Sequence, residues 1–218
     1  MGDFDLINAR VLAACLAAAL LVTGCATTAA EAPAVTRPKL DPKSDANPFP
    51  STYKALPSAP TALVGATIFT GSGDKIENGT VLMKDGKIEA VGANVSVPAD
   101  YLTIDAKGKF VTPGIIDAHS HLGVYAQPGG QALSDGNEAV NPNTAEVWAE
   151  HSIWPQDEGF NAVRRGGVTS MLILPGSANL FGGRSVTLKN VPATTMQGMK
   201  FPGAPYGLKM ACGENPKR

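Results

Sequence analysis

Histidine is scarce in this chain: His119, His121 and His151 are the only three in 218 residues. A site that needs four imidazoles cannot be drawn from it. Cysteine is as scarce, at Cys15, Cys25 and Cys212. Cys15 lies within an N-terminal apolar run and Cys25 follows it, so removal of that leader leaves no pair for an intramolecular disulfide. Cys212 then reads as a small buried hydrophobe. Charge of one sign is lacking too: 18 Lys and Arg stand against 19 Asp and Glu, for a net charge of −1. With no basic run and no interleaving of basic and aromatic residues, a nucleic-acid partner is excluded. The chain also lacks an apolar run long enough to span a bilayer, which takes ~20 residues. What it has is glycine (24) and proline (17), which make it rich in turns. Its 44% hydrophobic and 17% charged residues suit an ordinary globular protein.

The N-terminal apolar run is Val11 to Val22, preceded by Arg10. It suits the hydrophobic region of a signal peptide rather than a membrane span. The run ends Val22-Thr23-Gly24-Cys25, which resembles a bacterial lipobox, so residues 1–25 are expected to be a signal peptide and Cys25 a lipidation site. A rival cut lies after Ala30, which would release a soluble secreted protein. Lipidation would instead give a periplasmic or outer-membrane lipoprotein, held to the membrane by its lipid anchor. Residues 26–60 are rich in Ala, Thr and Pro, cannot bury a core and are expected to form a disordered tether.

The pattern changes at Thr61. Apolar and β-branched residues run from Ala62 to Phe69, and two further runs, Thr80–Lys84 and Lys87–Val91, flank Asp85-Gly86. Asp-Gly between two such runs signals a hairpin, because both turn positions need positive φ. Leu102–Asp105 reads as another strand. Residues 61–110 are thus expected to be a small β unit. Fifty residues bury little core, so such a unit is expected to need strands from elsewhere.

Phe110 to His121 then reads Phe-Val-Thr-Pro-Gly-Ile-Ile-Asp-Ala-His-Ser-His, an apolar strand ending in polar side chains. Side chains on a strand alternate, so Asp117, His119 and His121 face one way and the two imidazoles can converge on one metal ion. His-x-His alone is a weak signal. Here it sits in Val-Thr-Pro-Gly-Ile-Ile-Asp-Ala-His-Ser-His, after the hairpin Asn-Gly-Thr-Val-Leu-Met-Lys-Asp-Gly-Lys-Ile-Glu-Ala-Val-Gly, and the whole stretch resembles the amidohydrolase superfamily, nearest its imidazolonepropionase-like members. The likeness runs from about Thr61 to Arg218, with Gly-Gly-Val-Thr-Ser, Pro-Gly-Ser-Ala-Asn and Gly-Glu-Asn-Pro-Lys in support.

The resemblance implies an α/β fold: a partial (β/α)8 amidohydrolase barrel over residues 111–218, preceded by part of a small β-sandwich. It implies a divalent metal, zinc foremost, and hydrolysis of a small-molecule amide or cyclic amide at a C–N bond by metal-activated water. Ligands in the family are the histidine pair of the first strand, a carboxylated lysine or glutamate from a middle strand, two later histidines and a late aspartate. His119 and His121 match the first pair. Glu214 is the favoured candidate for the middle-strand ligand and Lys209 its rival. The later histidines and the aspartate have no counterpart, and 108 residues from Val111 onward compare with ~250 in a typical barrel. The 218-residue chain is therefore expected to be an N-terminal portion and inactive by itself. The rival readings are a non-catalytic exported lipoprotein fragment and a binding module.

Beyond the motif, Asn143-Thr144-Ala145-Glu146 resembles a capping box and predicts a short helix. Pro155–Arg165 reads as a helix closed by Gly166-Gly167, and Val168–Leu174 as a buried parallel strand. Arg184–Lys189 and Gly207–Cys212 are further candidate strands. Gly182-Gly183-Arg184 reads as a tight turn, with anion binding as the alternative. His151, between Trp148 and Trp154, reads as a packed or surface residue rather than a ligand.

Overall fold

A computed structural model describes residues 47–217. The leader, Cys25 and the tether up to residue 46 lie outside the described residues. No described helix is long and apolar enough to cross a membrane.

The β unit forms as its sequence directs. β1 (Thr61–Phe69) pairs antiparallel with β2 (Lys75–Lys84), and β2 with β3 (Lys87–Gly92). The β2–β3 turn has Asp85 at φ 51° and Gly86 at φ 71°, the two positive values that a two-residue hairpin turn requires. β4 (Leu102–Asp105) and β5 (Phe110–Val111) both lie parallel to β1, completing a five-stranded sheet. Ala66, Ile68, Val81 and Ala106 form one buried cluster on it, and Ala62, Leu82 and Tyr101 another. Ile88, Leu102 and Ile104 stay exposed, so this sheet leaves apolar surface uncovered.

The second part carries the motif. β6 (Ile115–Ser120) lies parallel to β7 (Val168–Ile173), and α1 (Glu158–Arg165) precedes β7. Phe160 of α1 packs into the main core with Val124, Met171, Ile173, Val186, Leu188 and Met199. β8 (Phe181–Arg184), β9 (Val186–Lys189), the single helical turn α2 (Met196–Met199) and β10 (Leu208–Met210) follow. β9 runs antiparallel to β7, and β10 antiparallel to β8. β6 is the edge of its sheet, with Ile115 and Ile116 53% and 73% exposed.

Four expectations need correction. No helix starts at Asn143: Thr144 is bonded through both its N–H (2.8 Å) and its hydroxyl (3.0 Å) to the Phe181 carbonyl, which holds this stretch extended beside β8. Only a 3-10 turn follows, at Ala149–His151. Gly182 and Gly183 are not a tight turn but lie inside β8, and the Arg184 guanidinium sits 4.5 Å over the Trp148 ring. Cys212 is exposed, because it lies past the end of β10. Finally, residues 47–60 carry no helix or strand, yet their first part is tied down. Ser51 donates to the Lys200 carbonyl (2.6 Å), Thr52 N–H to the Gln197 carbonyl (3.0 Å), and Lys189 lies over the Tyr53 ring.

The helix boundary has a clear cause. Pro155–Arg165 was the expected span; α1 starts at Glu158 because Asp157 caps it, accepting from Gly159 N–H at 2.8 Å. The same carboxylate accepts from Gly123 N–H and Gln127 N–H, each at 2.9 Å. Asp157 is 1% exposed and thereby clamps the loop after His121 to the start of α1. Asp157→Ala strands two backbone donors and removes a cap. We expect a loss of about 2–4 kcal/mol, read as a lowered urea midpoint. A variant as stable as wild type would show that the clamp is dispensable.

Candidate metal centre

The His-x-His pair closes β6. Asp117 Oδ1 accepts from His119 N–H at 3.1 Å, a local turn that coincides with a break in the β6–β7 register. The His119 and His121 rings come together edge to face, their centres 5.1 Å apart. His121 is oriented from the far side. Its Nδ1 donates at 2.8 Å to the carbonyl of Leu174, just past β7, while Leu174 N–H donates back to the Ser120 carbonyl at 3.0 Å. That bond fixes the tautomer and leaves His121 Nε2 as a bare lone pair. It is the arrangement by which proteins orient metal-binding imidazoles.

The ring separation is compatible with two imidazoles on one divalent ion. With each ring nitrogen about 2 Å from the ion, a ring centre lies about 3.2 Å away, and a tetrahedral angle then separates the two centres by about 5 Å. The observed 5.1 Å matches.

The third group is Lys209. Its Nζ lies 3.4 Å from His119 Nε2, although 90 residues separate them. Lys209 is 8% exposed at the centre of β10, while its neighbours Leu208 and Met210 face outward. Burial holds the Lys209 amine below the ordinary lysine range. The positive charge of Lys209 in turn lowers the pKa of His119, with burial second. Both effects favour unprotonated nitrogen, which is what metal ligation requires.

Glu214 is the third ligand that the sequence favours. Its side chain is 81% exposed and pairs with Lys217 at 3.9 Å. It lies four residues beyond β10, and no cluster of three His, Cys, Asp or Glu residues suited to a metal occurs among the described residues. His151 stacks on Trp148 and meets the edge of Phe49, as a packed surface histidine should.

Sequence reasoning missed Tyr125 and Asp157. Tyr125 lies one turn past His121, its N–H donating to the His121 carbonyl at 3.0 Å and its ring 5.7 Å from the imidazole. A cleft of about 450 Å³ opens beside His121, lined by Tyr125, Asn137, Gly176, Ser177 and Asn215. Asp157 falls inside the helix expected at Pro155–Arg165, which hides its role as the cap.

Parallel strands joined through a helix thus carry paired imidazoles where the first strand ends, two potential metal ligands at a strand C-terminus. No protein-family model matches the sequence. Individual proteins do. The amidohydrolase tasK of Hapsidospora irregularis is 38% identical over 152 residues, which is 66% of this chain and 15% of that enzyme. An imidazolonepropionase of Staphylococcus aureus (strain Newman) is 49% identical over 47 residues, 22% of this chain and 11% of that enzyme. The crystal structure of an amidohydrolase from Thermotoga maritima MSB8 superposes with a TM-score of 0.66 at 41% identity, over 72% of this chain and 40% of that one. The chain belongs to the amidohydrolase superfamily, and it spans well under half the length of each of these relatives.

Proposed function

We propose that this chain carries part of the active site of a metal-dependent hydrolase acting on C–N bonds of small amides or cyclic amides. The observation that carries the reading is the His119–His121 pair, with His121 locked through Nδ1 and Lys209 3.4 Å from its partner. His119, His121 and Lys209 would hold the ion. A bound divalent metal supplies a water whose pKa falls toward ~7 and a Lewis acid for a carbonyl oxygen. Burial lowers the Lys209 pKa and so eases the loss of the proton that must leave before the amine can take up carbon dioxide. Starting from the ammonium, two protons leave in all: one frees the amine, and the second goes as the new N–C bond forms and one C=O π bond of carbon dioxide opens, which turns a repelling cation into a carbamate with anionic oxygens. Asp117 and Leu174 position the imidazoles and take no part in bond making.

In the same reading, β1–β5 are part of a β-sandwich, and β6, α1 and β7 belong to a (β/α)8 barrel. The antiparallel β8–β10 segment then serves to bring Lys209 to the site. These residues supply three ligands. A hydrolytic centre of this family also draws on two later histidines and an aspartate, and His151 lies elsewhere. We therefore expect a recombinant chain of these 218 residues to hold metal weakly and to turn over nothing. The test compares that chain with the protein isolated from cells that make it. Both are loaded with Zn²⁺ and assayed on hydantoins and dipeptides with and without chelator. If the native protein fails to hydrolyse any of them, or is indifferent to chelator, the function is wrong. If the 218-residue chain is active, its site is complete.

We also propose export and lipidation at Cys25, on the strength of the apolar run ending in Thr-Gly-Cys. A fatty-acid analogue should label the wild type in cells and leave Cys25→Ser unlabelled. Equal labelling of both would refute the anchor.

A further inference from the structure

The cleft beside His121 has a composition of its own. Apart from His121, none of the residues lining it is ionisable at neutral pH: its polar groups come from Tyr125, Asn137, Ser177 and Asn215. Such a surface is complementary to a neutral ligand rather than to a carboxylate or an ammonium.

The hydrogen-bond inventory says which groups are committed and which are free. Asn137 Oδ1 accepts from Ala178 N–H at 3.1 Å, which fixes the orientation of that carboxamide. Asn137 Nδ2 therefore donates to the Tyr125 hydroxyl. With an incoming bond on its oxygen, Tyr125 keeps its own proton to give. Burial raises the Tyr125 pKa, so the hydroxyl stays protonated. In the same lining, Asn215 Nδ2 donates to Ser177 Oγ at 2.8 Å. No described protein group donates to Asn215 Oδ1. The cleft thus offers a free donor and a free acceptor.

The Tyr125 hydroxyl also occupies a made seat. A Cβ added to Gly136 would overlap its ring end, and one added to Gly176 would overlap its oxygen and the Asn137 carboxamide. Gly176 N–H donates to the Gly136 carbonyl at 2.6 Å, so the two glycines are held together around the phenol. Alanine at either position would displace the hydroxyl.

We propose that Tyr125 and Asn215 form an amide-recognition site in this cleft, Tyr125 O–H donating to the carbonyl oxygen of a neutral amide and Asn215 Oδ1 accepting from its N–H. The site sorts substrates: it admits uncharged amides and cyclic amides and disfavours charged ones. It deepens the hydrolase reading, since it places such an amide beside His121, but its binding step needs no metal.

The test is therefore made on the metal-free 218-residue chain. Hydantoin is titrated in by calorimetry or by following protein chemical shifts, with succinate as the charged control. Loss of one hydrogen bond should weaken hydantoin binding about fivefold in Tyr125→Phe, and similarly in Asn215→Leu. Succinate should bind more weakly than hydantoin. If Tyr125→Phe fails to fold, Asn215→Leu decides, because Asn215 is exposed on a short turn. Unchanged hydantoin affinity in the folded variants, or no hydantoin binding by the wild type, overturns the proposal. Zn²⁺ uptake by the wild-type chain is measured separately: hydantoin binding without Zn²⁺ uptake would count against the metal reading alone, and Zn²⁺ uptake without hydantoin binding would overturn this one.

Discussion

Replacing His119 and His121 together by alanine should abolish metal uptake. The apparent binding free energy of a four-ligand zinc site is about 10–16 kcal/mol, or about 3 kcal/mol per ligand, so the loss of two ligands costs about 6 kcal/mol and roughly 10⁴-fold in affinity. The effect should appear as the disappearance of Co²⁺ or Zn²⁺ binding at micromolar ion. Lys209→Met should weaken binding less, because the imidazole pair remains. Glu214→Gln should change nothing, since that side chain is exposed and pairs with Lys217. Undiminished metal in the double histidine variant, or metal loss in Glu214→Gln, would remove the site from where the geometry puts it.

Lys200→Met should be the most destabilising single substitution proposed here. Lys200 and the Glu150 side chain are 3% and 0% exposed, with Nζ 2.6 Å from Oε2. Nζ also donates to Asn47 Oδ1 (2.8 Å) and to the Phe49 carbonyl (2.7 Å), and meets the Tyr206 hydroxyl. A buried pair adds little net stability over an apolar substitute, but removing one member leaves the other charged and dry. That costs about 3–5 kcal/mol. The double variant Glu150→Met/Lys200→Met should recover most of the loss. Urea unfolding of both variants is the measurement, and equal destabilisation in single and double would refute the argument. In either variant Asn47 and Phe49 lose the Lys200 ammonium, so the amides at that end of the segment should exchange faster.

The parts of the fold visible in the sequence were those governed by local rules. Asp85-Gly86 dictates its hairpin, because only a few residue types accept positive φ twice in succession. The strand–helix–strand passage from Ile115 to Ile173 follows from apolar periodicity. What stayed hidden was governed by distant partners. The helix expected at Asn143 has its capping residues, but Thr144 finds the Phe181 carbonyl first. Composition reads residues 47–60 as tether, yet Asn47 and Phe49 serve a lysine about 150 residues away. The sequence favours Glu214 over Lys209 because Glu214 follows the strand, where ligands lie. Which way a three-residue strand faces was hidden: β10 turns Lys209 inward and leaves Leu208 and Met210 outward, against the apolar pattern.

The 90-residue span between His119 and Lys209 has a kinetic consequence. The two histidines are local, so a nascent chain can present them as soon as β6 emerges. Lys209 joins only after a long loop has closed, and closure of such a loop is entropically slow to be repaid. If the proposed site takes an ion, one that arrived early would meet a two-toothed ligand and exchange freely. One that arrived after β8 and β10 pair would be held from both ends of that loop and would fasten it. Metal retention would then be a late event in folding, and its loss an early sign that the β8–β10 segment had come away.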